Sequence, residues 1–153
     1  MKLSLRGEYA LRALVVLGQN YGEEVVRIQA ISDQQNIPKR FLEQILSELK
    51  RAKVVESKRG MAGGYRLAHS PEKIKLSVVV RHIEGALAPV SCVSERFYSK
   101  CTCPDESTCG IRSIMKEVRE AIVKILENTS IADLCQRVRH LQEQKVHTFE
   151  YMI

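Results

Sequence analysis

The chain has 153 residues, the size of one domain or of a small domain with an extension; 44% apolar and 27% charged residues exclude wholesale disorder, and 5% aromatics without Trp require an aliphatic core. The net charge of +6 is uneven: residues 1–70 carry 12 basic and 7 acidic side chains against 12 and 11 in residues 71–153, so the excess points to a polyanion partner such as nucleic acid. No apolar run approaches the ~20 residues of a membrane span, and Arg6, Glu8 and Arg12 break up the N-terminal apolar pattern, so a soluble cytoplasmic protein without a secretory leader is expected.

Leu3, Tyr9, Ala10, Ala13, Leu14 and Leu17 recur at three- and four-residue steps and predict a helix over 3–18, with Ser4 as N-cap. Val25 and Val26 suit a short strand. A second helix over 28–35 ends at Asn36-Ile37-Pro38, because a proline disfavours helix at the residue before it and suits the first turn of the next. The third helix, 38–51, buries Phe41, Leu42, Ile45, Leu46 and Leu49 and presents Lys39, Arg40, Gln44, Ser47, Lys50 and Arg51. Two short helices joined by a tight turn, the second one basic, form a helix-turn-helix candidate.

Residues 54–57 read as a strand, 58–64 as a Gly-rich tip and 65–67 as the return strand. A basic hairpin placed directly after a recognition helix is a wing. The window 39–66 holds 8 basic and 3 acidic residues, so the positive excess is concentrated on this proposed DNA face. A generic helical domain with a solvated basic face is the bland alternative, and the order of elements weakens it.

A fourth helix is predicted over 75–85, with Leu76, Val79, Val80 and Ile83 inward and Ser77 near its start. Residues 86–110 lose all periodicity, as functional or disordered loops do. A long helix follows over 111–128, where Ile111, Ile114, Met115, Val118, Ala121, Ile122 and Ile125 form one apolar stripe. Its expected partner is a second copy of the chain, with packing onto its own chain as the alternative. A short last helix from Ser130 carries Ile131, Leu134, Val138 and Leu141, and residues 142–153 are expected to be a flexible tail. The resulting architecture is mainly α with a small β-hairpin wing. It comprises a winged helix-turn-helix over 1–85, a cysteine-rich loop over 86–110, and the dimerisation and C-terminal helices over 111–141.

Four of the five cysteines, Cys92, Cys101, Cys103 and Cys109, fall in that loop with the spacing C-x8-C-x-C-x5-C. Thiolates are the soft donors that iron–sulfur clusters and zinc prefer. Arg96, Lys100 and Arg112 favour thiolate over thiol, and the start of the long helix favours anions. Three readings stand open: an iron–sulfur cluster, a structural zinc, and a thiol–disulfide switch. Zinc is the least favoured because its usual C-x2-4-C knuckles are missing. Cys135 and the four histidines read as structural or surface residues. No phosphate loop, nucleophile elbow or paired-carboxylate signal is found, so no enzymatic activity is expected.

Three stretches carry a resemblance to a known family. They are Met1-Lys2-Leu3-Ser4 with Gly7-x-Tyr9-Ala10, Ile37-Pro38 with Phe41-Leu42-Glu43-Gln44-Ile45, and Arg59-Gly60-x-x-Gly63-Gly64-Tyr65-x-Leu67. In that order, followed by a cysteine loop and a long helix, they resemble the bacterial winged-helix regulators that include IscR, NsrR and CymR. The resemblance covers about residues 1–135. It implies a homodimer with crossed long helices on a palindromic operator in double-stranded DNA.

The resemblance also assigns roles. It carries Phe41, Glu43 and Gln44 over as recognition-helix contacts, beside the basic Lys39 and Arg40, and Ser57 and Arg59 over as wing contacts, beside Lys58. Cluster-binding members have three cysteines, the last two separated by five residues, which Cys92, Cys103 and Cys109 match with a longer first gap. Cys101 is an addition that would replace Cys103, serve as a fourth ligand, or resolve a disulfide. The IscR-like histidine three residues after the last cysteine is replaced by Arg112, and an NsrR-like carboxylate from the other subunit falls at Glu8. The resemblance therefore implies an iron–sulfur cofactor, a 2Fe-2S cluster rather than a 4Fe-4S one. The other readings are a metal-free thiol switch of the CymR type and a redox or cluster-carrier protein that does not bind DNA.

Overall fold

The computed structural model describes the fold of residues 3–150 and the side chains of residues 3–145. Helix α1 (Leu5–Gln19) starts where expected: the Ser4 hydroxyl accepts from the Gly7 amide at 3.1 Å, and Glu84 reinforces the cap by accepting from both the amide and the hydroxyl of Ser4. Helix α2 (Ile28–Gln35) stops at Asn36, whose φ of 50° is left-handed, and α3 (Lys39–Arg51) follows from Pro38. Strands β1 (Val55–Lys58) and β2 (Gly64–Leu67) pair antiparallel, Val55 opposite Leu67.

The predicted strand at 25–26 is reduced to one bridge: Val26 and Tyr65 exchange backbone hydrogen bonds of 2.8 and 2.9 Å. Gly64 is required there, because a side-chain carbon on it would run into the Val26 carbonyl.

The core is aliphatic, as the composition demands. Ala10, Ala13, Leu14, Val16 and Leu17 of α1 are buried against Ile31, Leu42, Ile45, Leu46 and Leu49 of α2 and α3. A 3-10 turn over Pro71–Lys73, unforeseen in the sequence, leads to α4 (Leu76–Glu84). A second 3-10 turn over Ser91–Val93 interrupts the loop, and α5 (Gly110–Asn128) begins directly after Cys109. The chain returns to the core through α6 (Ile131–Glu150): Ile131 is fully buried, and Ile131 N donates to the Ile74 carbonyl at 2.9 Å. Ser130 and Asp133 form a reciprocal cap, with the Ser130 amide on Asp133 at 2.7 Å and the Asp133 amide on Ser130 at 3.1 Å.

Two expectations need correction. Phe41 is exposed rather than buried, because the buried side of α3 is confined to Leu42, Ile45, Leu46 and Leu49. The last helix is not short: backbone at 142–150, read as tail, continues α6. The Gln, Glu and Lys residues of 142–145 are good helix formers that carry the helix on past Leu141, and His140 and Gln144 make an i, i+4 contact at 3.0 Å on the way. Residues 151–153 of the expected tail lie outside the described residues.

Leu46 is fully enclosed between α1 and α3. Leu46→Ala should cost about 2–5 kcal/mol of stability, read as a lower urea midpoint at unchanged slope.

Candidate nucleic-acid interface and thiol site

The amphipathic α3 turns one edge to solvent. Lys39, Arg40, Phe41, Glu43 and Gln44 are all exposed, Phe41 at 58%. The hairpin is fastened beside this edge by polar contacts. Lys50 Nζ donates to Ser57 Oγ at 2.6 Å, which joins α3 to β1. Lys58 Nζ pairs with Glu24 at 3.1 Å, which joins the wing to the loop before α2. Ser57, expected as a free contact, is thus half-buried and already accepting from Lys50.

Arg59 is exposed at the wing tip, and among the described residues it has no hydrogen-bond or ion-pair partner. Between α2, α3 and the hairpin lies an open cleft lined by Arg27, Gln29, Lys50, Lys58 and Arg59. Arg27 and Gln29 were not singled out from sequence, because a lone basic residue before a short helix carries no local signal.

The loop 86–110 folds back onto the start of α5. Cys92 sits in the second 3-10 turn, buried, and its carbonyl accepts from Arg112 Nε at 3.3 Å. Cys109 caps α5, with its sulfur accepting from the Arg112 amide at 3.4 Å. Cys103 Sγ lies 3.5 Å from Cys109 Sγ. Cys101 is half-buried in the same loop. Among the described residues, Cys103 and Cys109 are the loop cysteines whose sulfurs meet at hydrogen-bonding distance.

Two residues missed in the sequence hold this arrangement. Glu106 accepts from the Cys101 amide at 3.1 Å with one oxygen and from the Tyr98 hydroxyl at 2.7 Å with the other. Neither a single tyrosine nor a single glutamate in a loop announces such a contact.

Protons are unequally distributed among the sulfurs. Donating to Cys101 and Cys109, together with desolvation, pushes the Cys103 thiol up to about 12. Cys109 moves down from the ordinary thiol value, because the Arg112 amide and then the Cys103 thiol donate to its charged form. Burial, then the neighbouring Cys101, pushes Cys92 up. Tyr98 donating to Glu106 lowers the carboxylate and raises the phenol.

Among the described residues, no three His, Cys, Asp or Glu side chains converge on a point that one ion could occupy. A tetrahedral zinc needs such a point. An iron–sulfur cluster distributes its thiolates over two or more irons and does not need one such point. Glu8 lies apart on the exposed face of α1, where Arg12 Nη1 donates to it at 3.4 Å. Cys135 is the buried structural thiol expected: it packs where α6 crosses Gly18 and donates to the Val15 carbonyl at 3.5 Å. His69, His82 and His140 are on the surface.

Helix α5 buries no residue fully. Ile111, Ile114, Val118, Ala121 and Ile125 are exposed at alternating steps of three and four, while Met115, Ile122 and Leu126 turn partly inward. No described helix is long and apolar enough to cross a membrane.

Known proteins share this whole layout. The pattern of the Rrf2 family, described as iron-dependent transcriptional regulators, matches residues 3–137. The rrf2 protein of Nitratidesulfovibrio vulgaris is 35% identical over 134 residues, covering 88% of this chain and 87% of its own. CymR (YrzC), the global cysteine regulator of B. subtilis, superposes with a TM-score of 0.76 at 28% identity, covering 90% of this chain and 98% of its own. IscR of T. potens does so with a TM-score of 0.73 at 26% identity, covering 93% and 91%.

The unequal thiols give a testable order of reactivity. In metal-free protein near neutral pH, iodoacetamide should modify Cys109 ahead of Cys103, because the Cys109 thiol is moved down and the Cys103 thiol up. Cys103 should lag until the pH climbs toward 12. Time-resolved mass spectrometry reads the order, and labelling of Cys103 ahead of Cys109 would contradict it. With the winged helix-turn-helix, the cysteine loop and the long exposed helix all in place, the chain belongs to the Rrf2 family of transcriptional regulators.

Proposed function

We propose that the protein binds a palindromic operator in duplex DNA as a homodimer, under the control of an iron–sulfur cluster held by the loop 86–110. The observation that carries this reading is the pairing of Cys103 and Cys109, 3.5 Å apart at the start of α5 in a loop with two further cysteines, directly before an exposed apolar seam. Cys92, Cys103 and Cys109 are the core of the ligand set, with Cys101 or the partner subunit's Glu8 as the fourth donor. A 2Fe-2S cluster is the proposed type. When bound, such a cluster supplies a redox-active centre with thiolate ligands. The family's description as iron-dependent and the likeness to IscR support the cofactor.

The rest is done by the chain itself. Gln44 on α3 can take an adenine edge, Glu43 can accept from cytosine and repel phosphate, and Phe41 can meet a thymine methyl. Lys39 and Arg40 stand by the backbone phosphates. Arg59, without a partner at the wing tip, can enter the minor groove or grip phosphate, and Lys58 and Ser57 stay close to it as wing anchors.

The five residues Ile111, Ile114, Val118, Ala121 and Ile125 form the seam for the second copy. Restraining the thiols fixes the loop to α5 through Cys109 and Arg112, and releasing them lets the two reading heads change their spacing.

A second reading, a metal-free thiol switch, is favoured by one specific contact. Cys109 and Cys103 stand 3.5 Å apart, with the former moved toward thiolate. Oxidation by a peroxide would then join these two, and mass spectrometry of the oxidised protein would find that disulfide.

Anaerobic purification should yield brown protein containing iron and sulfide. A colourless protein after reconstitution would remove the cluster and leave DNA binding standing. In gel shifts with the promoter of its own gene, Arg59→Ala should weaken all DNA and flatten the salt dependence, whereas Gln44→Ala should lose about 1–3 kcal/mol of discrimination at one base position. The absence of any sequence-specific shift would instead favour a cluster-carrier role. Val118→Glu, at the centre of the seam, should turn the dimer into a monomer in sedimentation. A dimer persisting in that variant would move the interface elsewhere.

A further inference from the structure

Resting on the operator reading, we infer that Met61, at the tip of the wing, is a specificity-determining contact that seats its apolar side chain on the floor of the minor groove. Its exposure is the first observation. Met61 is 100% exposed, the most of any large hydrophobic side chain among the described residues, with Ile111 next at 72%. Ile111 belongs to the seam of α5, whereas no described residue packs on Met61.

Its place in the turn is the second observation. The Gly63 amide donates to the Gly60 carbonyl at 2.9 Å, so Met61 and Ala62 occupy the two corners of a tight turn. Gly60 enters that turn at a φ of 107°, where L side chains are strained. Such corners usually carry Asn, Asp, Ser, Gly or Pro, which suit both the turn and water. Met and Ala offer neither advantage. The sequence therefore breaks the local rule at the most exposed point of the wing, and such breaks collect at functional sites.

The hairpin does not leave this tip loose. Lys58 pairs with Glu24 at 3.1 Å, and Val26 and Tyr65 exchange two backbone bonds, so the strands are tied to the helix-turn-helix. Arg59, exposed just before the turn, supplies charge, but charge toward phosphate attracts every sequence. Met61 adds apolar surface that reads the groove floor. There an A·T pair shows only acceptors, while a G·C pair raises an amino group. A thioether chain lies flat on the first. Over the second it strips a donor of water and offers only a weak acceptor in return. Methionine is among the apolar side chains that suit this groove. Phe41 is its counterpart on α3, so each reading element presents one exposed apolar side chain beside its cations.

The test uses the full chain and a duplex that the wild-type protein selects from random sequences, with the base pairs beneath the wing tip located by footprinting. Those pairs should be A·T. Met61→Ala and Met61→Gln should each bind about 10-fold more weakly, as loss of a largely buried methionine side chain implies. The slope of log affinity against log salt should stay as in the wild type, because no charge is lost. Met61→Leu should keep the affinity. Replacing A·T by G·C under the tip should weaken the wild type, and inosine opposite cytosine, which lacks the amino group, should restore binding. Met61→Ala should show a smaller penalty for G·C.

Wild-type affinity in both Met61→Ala and Met61→Gln would overturn the inference while sparing DNA binding. So would selected G·C pairs beneath the tip, an unchanged G·C penalty in Met61→Ala, or a salt slope flattened in that variant. A wild-type protein that selects no duplex would overturn the operator reading and this inference together.

Discussion

The orientation of α3 rests on four aliphatic side chains. Leu42, Ile45, Leu46 and Leu49 are buried against α1 and α2, each contributing about 1.5–3 kcal/mol by leaving water. Turning the helix to hide Glu43 or Gln44 would expose leucine and bury a carboxylate without a partner, which costs several kcal/mol more. The edge carrying Lys39, Arg40, Glu43 and Gln44 is therefore exposed by necessity. The wing has its own place relative to that edge, because Lys50 bonds to Ser57 and Val26 bonds to Tyr65. Recognition helix and hairpin move as one body, with Arg59 left over at the tip.

The same balance leaves α5 unsatisfied. One of its sides reaches α4 and the second 3-10 turn, and Met115, Ile122 and Leu126 are half-covered there. The other side keeps a five-residue apolar seam in water, the kind of patch that monomeric proteins avoid. Sequence periodicity merged the two sides into one stripe, since residues one apart on a helix differ in direction by only about 100°. Which half meets its own chain depends on where the loop delivers the first turn, and the loop has no period to read.

Legibility follows locality. The turn at Asn36-Ile37-Pro38, the Ser4 cap and the Gly63-Gly64 hairpin are decided within a few residues and were readable directly. The thiol loop is readable as a cluster of letters but not as an arrangement in space. That arrangement depends on Glu106 meeting the amide of Cys101, on Tyr98 meeting Glu106, and on Arg112 meeting Cys92, contacts between irregular segments for which spacing carries no rule. The length of α6 was missed for a different reason: a helix carried by residue propensity leaves no apolar pattern to count.

Charge sets how the loop would respond under the proposed control of DNA binding. Cys103 and Cys109, 3.5 Å apart, do not both ionise readily without a cation between them, because like charges at such range repel strongly. The sulfurs here share protons instead, with Cys103 held near 12 and Cys109 drawn down by the start of α5. On the cluster reading, ligation would require those protons to leave, so occupancy of the loop would be tied to proton release at the start of α5. The aliphatic core beneath α3 contains none of these loop groups. In the proposed dimer, a change at the sulfurs would act on α5 and leave the packing beneath α3 as it was.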